Sequence, residues 1–329
     1  MDDRWSRRRI LRAVGAIGAA ASLRPPGVIA AGDTRKLGVF HWLNRSEWEQ
    51  SRPGIFRMLV ERGWKLDRNL VTDWRVVRMD AADLDRVAAS LAASHPDAIL
   101  AESTAGTRAL RRATRAIPIV TYVADPVLSG FAASLRRPGG NVTGLCDFDA
   151  KSGTKAIELL RALVPRLSHI AVFFPGTVAT SRESAGRYLA AAAKAGIEAR
   201  LILIGSVNEI EAAVRGAVRS GANGALSAGL LDDANFRKLG ESARRNKLPT
   251  LSFFEQFKDT FPLTLEPYHR DWDGAFANIV DKVLRGTPPG EIAFEQPDGL
   301  KVILNRPLAV DMGLAIPPDL EILATEVIG

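Results

Sequence analysis

One cysteine, Cys146, is present in 329 residues. A single thiol forms neither an internal disulfide nor a thiolate metal cluster, and Cys146 is expected to be a small buried hydrophobe. Histidine is scarce too. His41, His95, His169 and His269 lie far apart without metal-ligand spacing, so no zinc site is expected. There is no Gly-x4-Gly-Lys phosphate loop, no GxGxxG after the first strand and no GxSxG elbow, which removes the usual phosphate, dinucleotide and hydrolase readings. Carboxylate pairs such as Asp232-Asp233, or Asp271 with Asp273, fall at helix starts, where the helix dipole accounts for acidic side chains. No cofactor, metal or catalytic residue is expected.

What is present begins with Ser6-Arg7-Arg8-Arg9-Ile10-Leu11-Arg12, close to a twin-arginine export signal. The apolar run Ala13 to Leu23 ends at Arg24-Pro25-Pro26, short of the roughly 20 residues that a membrane span needs. Val28-Ile29-Ala30-Ala31 supplies the small residues that a signal peptidase prefers. Residues 1–32 are therefore expected to be a removable leader that sends the mature chain to a bacterial periplasm. The leader's six arginines against two aspartates carry four of the net +7 charges. The small remaining excess does not support a phosphate-tracking surface, so nucleic acid is not an expected partner. With 47% apolar and 25% charged residues, the chain fits a soluble protein large enough for two cores.

After the leader, short apolar strands alternate with helical patterns, the sequence form of stacked βαβ units and parallel sheets. Strands are expected at Lys36 to His41, Leu70 to Val77, Ala98 to Ala101 and Ile117 to Val123, with helices between. The pattern restarts with strands at Ile170 to Phe174, Ala199 to Ile204, Gly224 to Ser227 and Thr250 to Phe254. Pro138-Gly139-Gly140-Asn141, the segment Phe261 to Pro267 and Pro288-Pro289-Gly290 are the breaks. The expectation is an α/β protein of two lobes, each a parallel sheet flanked by helices, joined by a three-crossing hinge. The lobes are drawn as 33–140 with 262–290, and 141–261 with 291–329.

Ligands of open parallel sheets bind at the carboxyl ends of strands, which makes the loops there the candidates. Trp42 and Asn44 follow the first strand. Ser103 and Thr104 sit where a strand gives way to a helix, so their hydroxyls either hold a ligand carboxylate or cap the helix. Asp125 either accepts a ligand ammonium or closes a local Asx turn. Phe174, Thr177, Phe253 and Phe254 lie at strand ends of the second half, where the aromatics, with Trp42, either clamp a flat apolar group or serve the core. Arg108, Arg111, Arg112 and Arg115 follow helical spacing and form a basic face, read as solvated surface or as a dock for an acidic partner.

The residues also carry a family resemblance. Ile117-Pro118-Ile119-Val120, Ala124-Asp125-Pro126-Val127, Arg137-Pro138-Gly139-Gly140-Asn141-Val142-Thr143-Gly144, Leu163-Val164-Pro165 and Ile316-Pro317-Pro318 resemble the substrate-binding proteins of a bacterial ABC transporter family often labelled tryptophan/tyrosine transport. The resemblance implies a type I periplasmic-binding fold and a monomer that captures a small solute, such as an aromatic amino acid or related carboxylate, between two lobes. It implies delivery to a membrane permease with its ATPase, and no chemistry. A sensory protein signalling through a membrane receptor is the alternative. Three segments depart from the family pattern: Glu102-Ser103-Thr104 in place of glycines and a small residue, Phe174-Pro175-Gly176-Thr177 in place of Asn-Pro-x-x-Pro, and Thr260-Phe261-Pro262-Leu263 in place of a late glycine-rich stretch.

Overall fold

The computed structural model describes residues 34–78, 80–147, 152–176, 181–229 and 233–329. The leader and Thr177 lie outside the described residues. In the first half, β1 (Arg35–His41), α1 (Arg45–Ser51), α2 (Pro53–Glu61), β2 (Leu70–Val76), α3 (Ala81–Ala93), β3 (Ala98–Ala101), α4 (Thr104–Ala113), β4 (Ile119–Val123) and β5 (Val142–Cys146) follow in order. The strands form a parallel sheet ordered β2-β1-β3-β4-β5.

The second half runs through α5 (Ser152–Leu163), β6 (His169–Pro175), α6 (Ser181–Lys194), β7 (Glu198–Ile204), α7 (Ile210–Arg219), β8 (Gly224–Ser227), α8 (Asp233–Arg245), β9 (Thr250–Ser252) and β10 (Leu263–Tyr268). It continues with α9 (Trp272–Leu284), β11 (Gly299–Asn305), α10 (Arg306–Asp311), α11 (Pro318–Leu323) and β12 (Glu326–Ile328). Its sheet is ordered β12-β11-β10-β9-β8-β6-β7, parallel except where β10 meets β11.

Both sheets are covered on both faces, because side chains alternate along each strand. In β1, Leu37 and Val39 join a core with Trp48, Leu59, Phe276 and Val280, while Phe40 faces Leu84, Leu91 and Leu110 across the sheet. In β6, Ile170, Val172 and Phe174 face α5 and α6, and Ala171 and Phe173 face α7 and α8. Phe236 anchors that last core. It is fully buried, stacked on Phe257 at 4.4 Å between ring centroids and edge-on to Phe254 at 5.1 Å.

The chain crosses between lobes three times: after β5, between β10 and α9, and in the stretch leading to β11. Helix α9 follows β10 in sequence yet packs against α2 in the first lobe. The crossings are laced together by backbone bonds. Cys146 N–H donates to the Glu295 carbonyl at 3.0 Å and Glu295 N–H to the Gly144 carbonyl at 2.9 Å, while His269 Nε2 lies 3.3 Å from the Cys146 carbonyl.

Three boundaries differ from those drawn from sequence; one is that Ile292 and Phe294, drawn with the second lobe, are buried in first-lobe cores. Val142–Cys146, past the break at residue 140, belongs to the first sheet: all five residues are buried and pair with β4. The Pro138-Gly139-Gly140 turn serves to bring this strand in, and Gly139 N–H donates to the Gly290 carbonyl. Leu263–Tyr268, drawn with the first lobe, pairs with β9 and β11 in the second sheet. The changes of lobe therefore fall just after Cys146, just after Tyr268, and between Glu295 and Gly299.

Candidate functional site

Because β5 and β10 both release the chain at their carboxyl ends, the lobes meet along the carboxyl edges of their strands. Several of the loop residues chosen from sequence are engaged locally. Asn44 caps α1, accepting from the Glu47 N–H at 3.1 Å in a capping box. Ser103 Oγ caps α4, accepting from the Gly106 N–H at 3.0 Å, and Thr104 Oγ1 lies 3.4 Å from the Ala124 N–H. Asp125 closes an Asx turn, accepting from Val127 and Leu128 N–H groups at 3.0 and 2.9 Å. Trp42 stands exposed on the rim, stacked on the buried His41 ring at 3.9 Å.

On the second lobe, Phe174 and Phe253 are buried on either side of Tyr188, at centroid distances of 6.2 and 4.8 Å. Phe254 packs between this core and the next, edge-on to Phe236. Tyr188 lies on helix α6, outside the strand-end loops to which the sequence points. The Arg187 guanidinium lies over its ring at 4.9 Å.

Three further groups meet these residues. Tyr122, near the carboxyl end of β4, donates its hydroxyl to Asp147, the first residue after β5. Asp147 is half-buried beside Arg187 and Tyr188 of the other lobe. Glu266 lies on the part of β10 that runs beyond its last pair with β9, Thr264 with Ser252, and accepts from the Glu255 N–H at 3.0 Å. The neighbouring cation, Lys301, is occupied by both Glu255 carboxylate oxygens at 2.9 Å.

The electrostatics of this cluster are unusual. Burial pushes the Asp147 carboxyl up to about 6, against the pull of the Tyr122 hydrogen bond and the Arg187 charge. Burial, together with the nearby Asp147 and Glu255 charges, pushes Glu266 up to about 8, with the Glu255 N–H and Lys301 opposing. Burial and Asp147 hold the Tyr122 phenol well above its ordinary range. Two carboxyls that resist ionisation thus lie close together between the lobes. One signal was legible: Glu266 is the single charged residue in the strand Leu263 to Tyr268.

On the first-lobe side, the buried Glu102 accepts from Trp48 Nε1 at 2.8 Å, with His41 Nε2 at 3.6 Å and Arg52 Nε at 3.8 Å from its other oxygen. The Arg52 guanidinium carbon sits 4.2 Å above the Trp272 ring, and Trp272 meets Tyr122 edge-on at 5.7 Å. Two cavities lie elsewhere. One of about 240 Å³ sits between β6, β7 and α7, rimmed by His169, Glu198 and Arg200. Another of about 420 Å³ lies beside the crossings, lined by His269, Asp271, Glu295 and Asp298 among others. Among the described residues no cluster of His, Cys, Asp and Glu could hold a metal, and no helix is long and apolar enough to cross a membrane.

Comparison with known proteins extends this picture. A family model described as ABC transporter substrate binding protein matches residues 36–328. The tyrosine-binding protein of Clostridioides difficile (strain R20291) is 30% identical over 141 residues, which is 43% of this chain and 40% of that protein. The match thus spans well under half of that relative's length. Among solved structures, the ABC domain in complex with L-Trp from Streptococcus pneumonia superposes with a TM-score of 0.76 at 23% identity, covering 90% of this chain and all of that one. A conserved domain protein from Vibrio cholerae gives the same TM-score and coverages at 22% identity. At these identities the likeness carries the fold, two parallel-sheet lobes of the type I periplasmic-binding kind.

Proposed function

This chain belongs to the family of ABC transporter substrate-binding proteins, and from that premise we propose that it captures an amino acid with an aromatic side chain between its lobes and hands it to a permease powered by an ATPase. It works outside the cytoplasmic membrane, exported by the twin-arginine route, and binds without chemistry. The observation that carries the ligand class is the convergence of Asp147 and Glu266, two carboxyls that burial pushes up despite Arg187 and Lys301 nearby, beside the Phe174, Tyr188 and Phe253 rings. A ligand ammonium relieves the cost of ionising those carboxyls, and a flat side chain suits the Tyr188 ring, which Phe174 and Phe253 back from the core. The aromatic ligands named for the C. difficile and S. pneumonia relatives support the same class. Closure of the lobes over the solute presents the loaded form to the transporter.

The test is calorimetry on protein refolded to remove carried-over ligand. L-Tryptophan, L-tyrosine and L-phenylalanine are compared with indole-3-propionate, which lacks the amine. Saturable binding of at least one amino acid is expected, with the deaminated analogue weaker by roughly 10- to 100-fold, the scale of a charge-assisted hydrogen bond. Failure of all three amino acids to bind would end the aromatic assignment.

A further inference from the structure

The amino-acid reading assigns the ligand's ammonium and leaves its carboxylate without a partner. Ser103 Oγ and the Gly106 N–H satisfy each other at the start of α4, Lys301 is held by Glu255, and Arg187, though its Nε has no hydrogen-bond partner, lies over Tyr188 with its charge beside Asp147.

Arg52 is different. It lies in the bend between α1 and α2, with 39% of its side chain exposed, and among the described residues the one hydrogen bond of its side chain runs from Nη1 to the Ser51 carbonyl at 3.3 Å. Its Nε is buried without a hydrogen-bond partner, facing Glu102 from 3.8 Å. Glu102, 9% exposed, is itself fixed by Trp48 Nε1 at 2.8 Å. The guanidinium plane is supported by the Trp272 ring at 4.2 Å, the geometry in which a cation is attracted to an indole face. Trp272 in turn meets Tyr122 edge-on, and the Arg52 charge bears on the Tyr122 phenol that donates to Asp147. A positive fork is therefore held by a ring below and a carboxylate at its Nε edge, next to the group that marks the ammonium site.

Resting on the amino-acid reading above, we propose that Arg52 is the cleft's carboxylate-binding residue, and that Glu102 is a positioning residue that holds the guanidinium in place through its Nε edge. The opposite edge, with its paired N–H groups, matches a carboxylate in two-point fashion as lysine cannot. It also gives Glu102 a role away from the ligand: a carboxylate in that position pins an arginine.

Wild type, Arg52→Gln, Arg52→Lys and Glu102→Gln are each titrated with L-tryptophan and with L-tryptophanamide, which keeps the ammonium and replaces the carboxylate. Wild type is expected to prefer the acid by at least about tenfold, the scale of a charge-assisted pair. Arg52→Gln brings that ratio close to one by weakening the acid alone. Arg52→Lys and Glu102→Gln give intermediate ratios. Equal weakening of acid and amide in Arg52→Gln would show a purely structural role and overturn the assignment, as would an unchanged ratio. If wild type binds the amide as tightly as the acid, the carboxylate assignment falls while the ammonium site stands. If it binds neither, the amino-acid reading fails and this assignment falls with it.

Discussion

Asp147→Asn combined with Glu266→Gln is expected to lower affinity for an aromatic amino acid by at least about 100-fold, because both acceptors of the ligand ammonium become neutral amides. The same variant should lose the pH dependence of the wild type. Near pH 8 the wild-type carboxyls can ionise for an ammonium. Near pH 5 Asp147, with its pKa of about 6, and Glu266, at about 8, hold their protons. Wild-type affinity should therefore fall by at least about 100-fold between pH 8 and pH 5, a decade or more for each of the two carboxyls held a unit or more below its pKa. Stability of the ligand-free protein should move the other way. In an unfolded chain both carboxyls titrate near about 4, so between about 4 and 8 the native state binds more protons than the unfolded state. The stabilisation these two groups contribute is complete below about 4 and lost as pH rises through 6 and then 8. Calorimetry and thermal melts across pH check both signs, and a variant that keeps the wild-type pH profile would remove Asp147 and Glu266 from the site.

The second large effect concerns the strand that delivers Asp147. Gly144 lies in β5 at a φ of +149°, where side chains are rarely tolerated, and an added Cβ would stand 1.8 Å from the Thr121 carbonyl oxygen of β4. Its own carbonyl accepts from the Glu295 N–H of the returning crossing, so the position joins the first sheet to the hinge. Gly144→Ala is expected to cost about 3–5 kcal/mol, the range of the severe single substitutions, read as a shift in denaturant midpoint at constant slope. Gly216→Ala provides the contrast. Gly216 lies within α7 with nothing inside 4 Å of the added atom, so this change should be neutral or stabilise by up to about 1 kcal/mol. Equal stability of the two variants would contradict the packing of β5 against β4.

Much of this architecture is written in local patterns. The alternation of β-branched runs with helical stripes locates every parallel strand from β1 to β4 and from β6 to β9, because period 2 and period 3.6 are properties of short windows. Lobe membership is not local. Val142–Cys146 could be assigned to either sheet until its partner β4 was known, and a Pro-Gly-Gly turn before it looks the same whether it ends a lobe or enters a strand. The site divides in a similar way. Strand-end position correctly picks out residues near the carboxyl edges, yet cannot tell which face each side chain takes, so Phe174 and Phe253 enter the core beside Tyr188 while Phe254 joins the Phe236 cluster. Asp125 and Asn44 illustrate how readily short polar side chains satisfy nearby backbone groups. Tyr188 and Arg187 reach the cleft from a helix face, which strand-end reasoning does not survey. Glu102 was visible as a departure from the family pattern, but its link to Arg52 and Trp272 spans distant parts of the chain.

The central claim is that a solute is held between the lobes where Tyr122 and Asp147 meet Tyr188, Arg187 and Glu266. A crystal structure of the protein with the tightest-binding aromatic amino acid tests it most directly. The ligand is expected at the carboxyl edges of both sheets, its ammonium within hydrogen-bond distance of Asp147 or Glu266 and its ring against Tyr188. Density for the ligand in the cavity between β6, β7 and α7, with the space between the lobes filled only by solvent, would contradict it.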